Sequence, residues 1–540
     1  MFEPGMGGIA DPLHDETEAD ILWSRVNLSE AVPGVPTPLN WSFWLTMTER
    51  SSRAIFHRMG VMDKADLVVP DDPALRYTAI FHGRAAANVD NFRTLMDSVP
   101  FTSGDAFELQ LLGEVRPDAE SHPNPKRYPM VLAKLPRAAL GFPKALRAIC
   151  AETDQWWREK IPASHKMGFI DSIRLLKEAE QIFLPVMIEH GFATMFSQIV
   201  YDQVEKLAAP IDPGLAADLS GGYGGMEEKK VVDDLMAVAK GTLPMAAFLA
   251  EHGYHGPDEG EMASRSWRED AGPLEALLDS YRRLDDSRSP AGGHDRAVAA
   301  RQQAETRIMA ALGPAGRIKA RLVIGLADRY VPLRETGKAA YLKVIDVARA
   351  AARRAGEKLA GAGQLDTADD IFFLTLDEVM ASPFDGMKAL VTTRKTQRAR
   401  HLAVDIPLTF RGHPVPEPVG GPADGNRIET LKGLGVSRGV IEGPVRVVHD
   451  PAQARDFPDG AILVCKTTDP GWAPLFMVAG AIVTDIGGML SHGAVVAREL
   501  GVPCIVNTKT GTRDLRDGDI VALDGTTGEI TLLLAAPDQG

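Results

Sequence analysis

Two short apolar runs, Ala481-Ile482-Val483-Thr484-Asp485 and Pro503-Cys504-Ile505-Val506, flank a glycine-containing turn and an amphipathic stretch. Short β-branched runs bounded by turn residues read as buried strands, and apolar residues at three- and four-residue spacing read as a helix. The order is strand, loop, helix, strand, which specifies a small α/β layer. The turn, Gly487-Gly488-Met489-Leu490-Ser491-His492-Gly493, places His492 at the helix start. Backbone N–H groups converge there and the helix dipole favours negative charge, so an imidazole carrying a phosphoryl group would be stabilised. Gly487 and Gly488 permit positive φ and close approach of a second body. Ser491 can cap the helix or fix the imidazole tautomer. A lone histidine at a helix start is more often a cap or a packed polar residue; this surrounding pattern is what makes His492 a candidate phosphoryl carrier. Arg498 reads either as a ligand for phosphate oxygens or an acidic partner, or as a solvated helix-face arginine.

The remaining composition narrows the class. A chain of 540 residues exceeds one compact core, so two to four domains are expected. A net charge of −14 opposes binding to nucleic acid or anionic membranes. No apolar run approaches the roughly 18–20 residues of a membrane span. The start, Met1-Phe2-Glu3-Pro4-Gly5, lacks a signal-peptide pattern. Cys150, Cys465 and Cys504 are odd in number and far apart, which suits a reduced cytoplasmic setting and forms no zinc pair. No metal-ligand set and no cofactor-binding set is evident.

Residues 1–20 read as a poorly ordered acidic tail, and 21–410 as a mainly helical body. Within it, 41–60, 172–190, 196–207, 226–239 and 341–359 carry helical apolar spacing, 79–89 reads as extended, and 286–295 as a Ser/Pro/Gly loop. Residues 411–426 are half proline or glycine and form a linker that spaces two bodies. Residues 427–540 alternate short strands, at 436–441, 443–448, 461–466, 481–485, 504–507, 520–524 and 529–533, with helices at 472–478 and 494–500. The expected fold is therefore multidomain α+β: a largely helical substrate-binding domain, then a small α/β domain.

The segment from Asp485 to Val506 resembles the swivelling phosphohistidine domain of phosphoenolpyruvate-utilising enzymes, among them phosphoenolpyruvate synthase, pyruvate phosphate dikinase and rifampicin phosphotransferase. Gly435-Val436-Ser437-Arg438-Gly439, Thr468-Asp469-Pro470-Gly471-Trp472 and Asp517-Gly518-Asp519 with Asp524-Gly525 agree in order. The resemblance implies that His492 is phosphorylated and passes the phosphoryl group on, with Gly487, Gly488, Ser491, Gly493 and Arg498 forming its loop. Leu490 stands where the dikinases have a regulatory threonine, so that switch is not expected. Gly493 replaces the usual alanine, and Leu490-Ser491-His492-Gly493 is closer to the rifampicin phosphotransferase-like branch.

Residues 30–400 resemble that branch more weakly, through Pro36-Thr37-Pro38-Leu39, Gly253-Tyr254-His255-Gly256, Arg334-Glu335-Thr336-Gly337-Lys338 and Asp369-Asp370-Ile371-Phe372-Phe373. In that branch this region binds the hydroxyl-bearing acceptor. Phosphoryl transfer to an alcohol needs cations for the equatorial oxygens and a group to take the proton. Arg334 and Lys338 lie four apart, on one helix face; they read equally as a phosphoryl clamp or a solvated surface. His255 and Glu259, in a Gly/Pro-rich loop, are candidates for the general base or for a loop cap. Glu261 and Arg265 are weaker candidates. Trp41, Phe43 and Trp44 read as core more than as an aromatic pocket.

No glycine-rich phosphate loop followed by lysine is found; Gly221-Gly222-Tyr223-Gly224-Gly225 reads as a loop. The layout resembles the split phenylphosphate synthase and 4-alkylphenol (4-cresol) phosphorylating synthases. That resemblance implies an ATP-grasp subunit in trans, holding ATP with Mg2+ or Mn2+, and a small hydroxyl acceptor such as a phenol or alkylphenol. The alternatives are a rifamycin-type antibiotic phosphotransferase, a phosphoenolpyruvate synthase-like component, or a non-catalytic regulatory phosphocarrier.

Overall fold

The computed structural model describes residues 10–536 except 18–19, 27, 33, 101, 113–114, 118, 213, 220, 223–226, 285–289, 420–428, 452–453, 455–456 and 490. The chain forms two compact units. The first takes Met1–Phe192, Gly260–Ala263 and Gly337–Gly421; the second takes Ala193–Glu259, Ser264–Thr336 and Pro422–Gly540.

In the first unit, strands β1 (Leu22–Ser24), β2 (Thr78–Phe81), β3 (Arg84–Asn88) and β4 (Thr409–Arg411) form an antiparallel sheet in the order β2-β3-β1-β4. The stretch expected to be extended around 79–89 is the β2–β3 hairpin. His82 and Gly83 turn it with φ of 48° and 68°, the doubly positive pair that matches strand twist. Helix α1 (Pro38–Met59) starts on proline and ends on Gly60 at φ 89°, as helix-end preferences dictate. Trp41, Phe43 and Trp44 on it are buried in this unit's core. The strand of chain at Gly260–Ala263 is stitched to it: Trp44 Nε1 donates to the Gly260 carbonyl at 3.0 Å, and the Glu261 carboxylate accepts from Thr37 N and Oγ1 at 2.9 and 2.7 Å. Arg349 Nη2 donates to the Glu261 carbonyl at 3.1 Å. These contacts give Glu261 a structural place.

Helix α2 (Tyr128–Ser164) is followed by α3 (Phe169–Ala208), 40 residues long. The two helices expected at 172–190 and 196–207 are thus one. Gly191 does not end it: a Cβ there would come within 2.7 Å of Ile55 Cδ1, so the missing side chain serves packing. By length and composition alone α3 is apolar enough to cross a membrane. Leu175, Leu176, Ala179, Phe183 and Val186 on it are buried in the first unit at helical spacing, the pattern of one core-facing stripe.

The second unit begins with the end of α3 and contains α4 (Gly214–Leu219), α5 (Glu227–Ala239), α6 (Met245–His252), α7 (Gly272–Arg283), α8 (Pro290–Ala311) and α9 (Pro314–Tyr330). Residues 290–295, expected as loop, are already helical in α8, because Pro290 suits a first helical position; 285–289 lie outside the described residues. Helix α10 (Leu333–Gly361) has residues in both units.

The C-terminal part of this unit is an eight-stranded sheet. Its strands are β5 (Thr430–Lys432), β6 (Leu434–Ser437), β7 (Val440–Val447), β8 (Ile462–Cys465), β9 (Ala481–Thr484), β10 (Cys504–Val506), β11 (Ile520–Asp524) and β12 (Glu529–Leu534), in the order β5-β12-β11-β7-β8-β9-β10-β6. Strands β7 to β10 pair in parallel and the flanking pairs are antiparallel. Crossover helices α11 (Ala473–Val478) and α12 (His492–Leu500) join the parallel strands, as parallel pairing requires. The strands expected at 436–441 and 443–448 are cut differently. Strand β7 runs through Gly443, and the break falls at Gly439, whose φ is 141°.

The mainly helical body expected over 21–410 is divided between the units for a packing reason. Val232, Leu235 and Phe248 of α5 and α6, with Trp267 and Tyr281, share one apolar cluster with Leu463, Phe476, Val478, Ile482 and Val496 of the sheet and its crossover helices. Tyr281 Oη donates to the Pro474 carbonyl at 2.9 Å inside that cluster. Of the expected linker, 420–426 lie outside the described residues, as do 1–9 of the expected tail. In the described part of that tail Leu13 is buried and the Asp11 carboxylate accepts from His401 Nε2 at 2.8 Å, so that part is ordered by packing.

Two outcomes follow from this core. Tyr281→Phe leaves a buried carbonyl without its donor and costs about 1–3 kcal/mol, measurable by denaturant unfolding. Burial pushes the Cys504 thiol up to about 12 and that of Cys465 well above its ordinary value. At pH 8 only about 10⁻⁴ of Cys504 is thiolate, so both thiols stay unmodified by a thiol-exchange reagent in the native state and react on unfolding.

Candidate functional site

The histidine loop is built by β9, its glycine turn and α12. Ser491 sits at the N-cap with extended backbone and its Oγ accepts from Ala494 N at 3.4 Å, so it caps the helix. Gly487 adopts φ 150°, in the region open to glycine. Gly493 is explained by contact: a Cβ there would lie 2.8 Å from Thr468 Oγ1. Asp485, at the end of β9, accepts from Thr512 N at 3.0 Å, Thr508 Oγ1 at 3.1 Å and Thr512 Oγ1. Burial pushes its carboxyl up while these donors pull it down, and burial prevails. Leu490 lies outside the described residues.

Arg498 is buried and donates to two carbonyls, Val436 O at 3.3 Å and Met489 O at 2.8 Å. Burial lowers its guanidinium's basicity. One donation holds the loop backbone at Met489 and the other the edge strand β6 at Val436, so the side chain braces the turn before His492 against the sheet.

His492 is 1% exposed, and its Nε2 stands 4.0 Å from Glu228 Oε1. Glu227 and Glu228 open α5, where the dipole favours carboxylates. Beside them lies the turn after α6. His252 Nε2–H donates to Asp234 Oδ2 at 2.7 Å, and His255 Nδ1–H to Glu259 Oε1 at 2.6 Å. Tyr254 Oη donates to Glu227 Oε1 at 3.3 Å. Burial, then the charges of Glu227, Glu259 and Glu228, push the Tyr254 phenol well above its ordinary value. Close backbone packing fixes the turn. A Cβ on Gly253 would meet the Leu249 carbonyl at 2.3 Å, and one on Gly256 the Arg265 carbonyl at 2.6 Å. The Thr468–Trp472 loop rests on the same turn: a Cβ on Gly471 would fall 2.1 Å from the Gly256 carbonyl.

The expected residues divide accordingly. His492 faces Glu228; His255 and Glu259 form their own buried pair. Arg334 and Lys338 stand one turn apart on α10, as their spacing predicts. Arg334 is half-buried, with Nε 3.5 Å from Glu335 Oε1, and Lys338 lies in the first unit. Sequence reasoning missed Glu227, Glu228, His252, Tyr254 and Asp234. The available signals were an acidic pair at a helix start just after a glycine-rich stretch, and two histidines three apart around Gly253. Where no metal-ligand set was expected, single donor atoms of Glu227, His252 and His255 lie within 4.8 Å of one another.

Residues 457–528 match the model described as PEP-utilising enzyme, mobile domain, and residues 195–335 match the rifampicin phosphotransferase fourth domain. An uncharacterized protein of Mycobacterium tuberculosis is 28% identical, over 95% of this chain and 62% of its own length. Rifampicin phosphotransferases of Streptomyces sviceus and Bacillus subtilis are 33% and 30% identical, over 57% and 53% of this chain. The chain thus spans 62% of the mycobacterial relative and 37% and 34% of the two phosphotransferases. The histidine loop lies within a segment that matches the PEP-utilising mobile domain, and the carboxylate-rich turn facing it lies within one that matches the fourth domain of rifampicin phosphotransferase.

Proposed function

We propose that this chain is the acceptor-side part of a phosphotransferase in which His492 carries the phosphoryl group. The observation that carries the reading is the capped helix start that holds His492 buried, 4.0 Å from Glu228, in the segment matching the mobile domain. The acceptor oxygen attacks phosphorus, the P–N bond to His492 breaks, and its electron pair returns to the imidazole. The hydroxyl proton passes to Glu228. His255 and Glu259, bonded to each other, position the turn, and Arg334 supplies cationic charge in the same unit. Phosphoryl transfer is served by such positioning and charge stabilisation more than by covalent chemistry from the protein.

The acceptor in this reading is a phenol or alkylphenol. A hydroxyl with pKa near 10 needs only modest help from a carboxylate to become a nucleophile. His492 is loaded at an ATP-grasp site outside these residues, on a separate subunit, and the domain of residues 427–540 moves between that site and the acceptor. A second reading, a rifamycin hydroxyl as acceptor, is favoured by the match of residues 195–335 to the rifampicin phosphotransferase fourth domain.

Incubation with labelled ATP and an ATP-grasp partner gives acid-labile label at His492, and His492→Ala abolishes it; equal labelling of the variant rejects the reading. Glu228→Gln keeps the label but slows its discharge to a phenol by about 10²–10⁴-fold, followed in single-turnover assays. Discharge to a rifamycin and not to phenols would select the second acceptor.

A further inference from the structure

We infer that Glu227, His252 and His255 bind a divalent transition-metal ion of the zinc class, beside the phosphoryl-carrying histidine. The tautomers argue for it. His252 uses Nε2–H on Asp234, which leaves the lone pair on Nδ1. That nitrogen is buried, has no hydrogen-bond partner, and stands 3.5 Å from Glu227 Oε1. A ring acceptor facing a carboxylate acceptor calls for a cation between them. His255 uses Nδ1–H on Glu259, which leaves its lone pair on Nε2. Each histidine is thus backed by a carboxylate on its far nitrogen, the arrangement that orients and strengthens imidazole ligands to metals.

Two histidines and a glutamate are a three-ligand set that leaves a coordination position open for an oxygen ligand. Ligands at about 2.1 Å from a tetrahedral ion stand roughly 3.4 Å apart, so atoms already within 4.8 Å need only small rotations. The ion would also answer an electrostatic problem of the proposed function. A phosphoryl group on His492 would arrive among Glu227, Glu228 and Glu259, all of like charge. A divalent ion offsets that repulsion and offers its open position to a phosphoryl or acceptor oxygen. The role assigned here rests on the phosphotransferase reading; the binding does not.

The test uses the full chain, stripped by chelator and titrated with Co2+ as a visible probe and with Zn2+ by calorimetry. One equivalent of Co2+ gives a tetrahedral visible band, and Zn2+ raises Tm. His252→Gln and Glu227→Gln each weaken binding at least 10²-fold and lose the rise in Tm on adding Zn2+, and Glu259→Gln weakens binding 10–100-fold by loosening His255. Lack of stoichiometric binding by the parent, or unchanged affinity in both His252→Gln and Glu227→Gln, overturns the site. His492→Ala keeps the metal while losing the phosphoryl label. A chain that binds metal but never labels would refute the phosphotransferase reading and leave the metal site standing.

Discussion

The constraint on which the second unit depends is the apolar contact between a helical layer and one face of a parallel sheet. Val232 and Leu235, with Trp267 and Tyr281, bury against Phe476, Val478 and Val496. Burial of that area is worth far more than the polar contacts it frames. It fixes where the first turn of α12 meets the first turn of α5, and so brings an imidazole and a carboxylate within 4.0 Å without a hydrogen bond joining them. Two helix N-termini meet there. One carries Ser491 as its cap and the other carries Glu227 and Glu228, so anionic chemistry is concentrated where both dipoles favour it.

Much of the histidine domain was legible because its signals are local. The apolar runs of β8, β9 and β10, the Gly487–Gly488 turn and the serine cap each act within a few residues. The division of the helical region was not legible. It depends on which helices share a core with the sheet, and nothing in the periodicity of α5 or α7 says that its apolar face meets Phe476. The fate of Arg498 was open for the same reason: a helix-face arginine and a buried brace have the same spacing, and only the nearby carbonyls of Val436 and Met489 decide between them.

The cluster around His255 was half legible. His255 and Glu259 stood out because a Gly/Pro-rich loop does not need them for packing. Their mutual bond turned them from independent acid–base candidates into one oriented unit. Glu227, Glu228 and His252 looked like ordinary helix-end residues, which favour acidic groups at the start and histidine at the close. Their convergence is a tertiary fact, enforced by Gly253 and Gly256, where the backbone leaves no space for a side chain.

The meeting of Gly471 with the Gly256 carbonyl has a mechanical consequence. There the histidine domain and the turn after α6 touch backbone to backbone, beside the apolar cluster that joins Trp267 and Tyr281 to Phe476. Even a methyl group at position 471 would force the two backbones apart and strain that shared core.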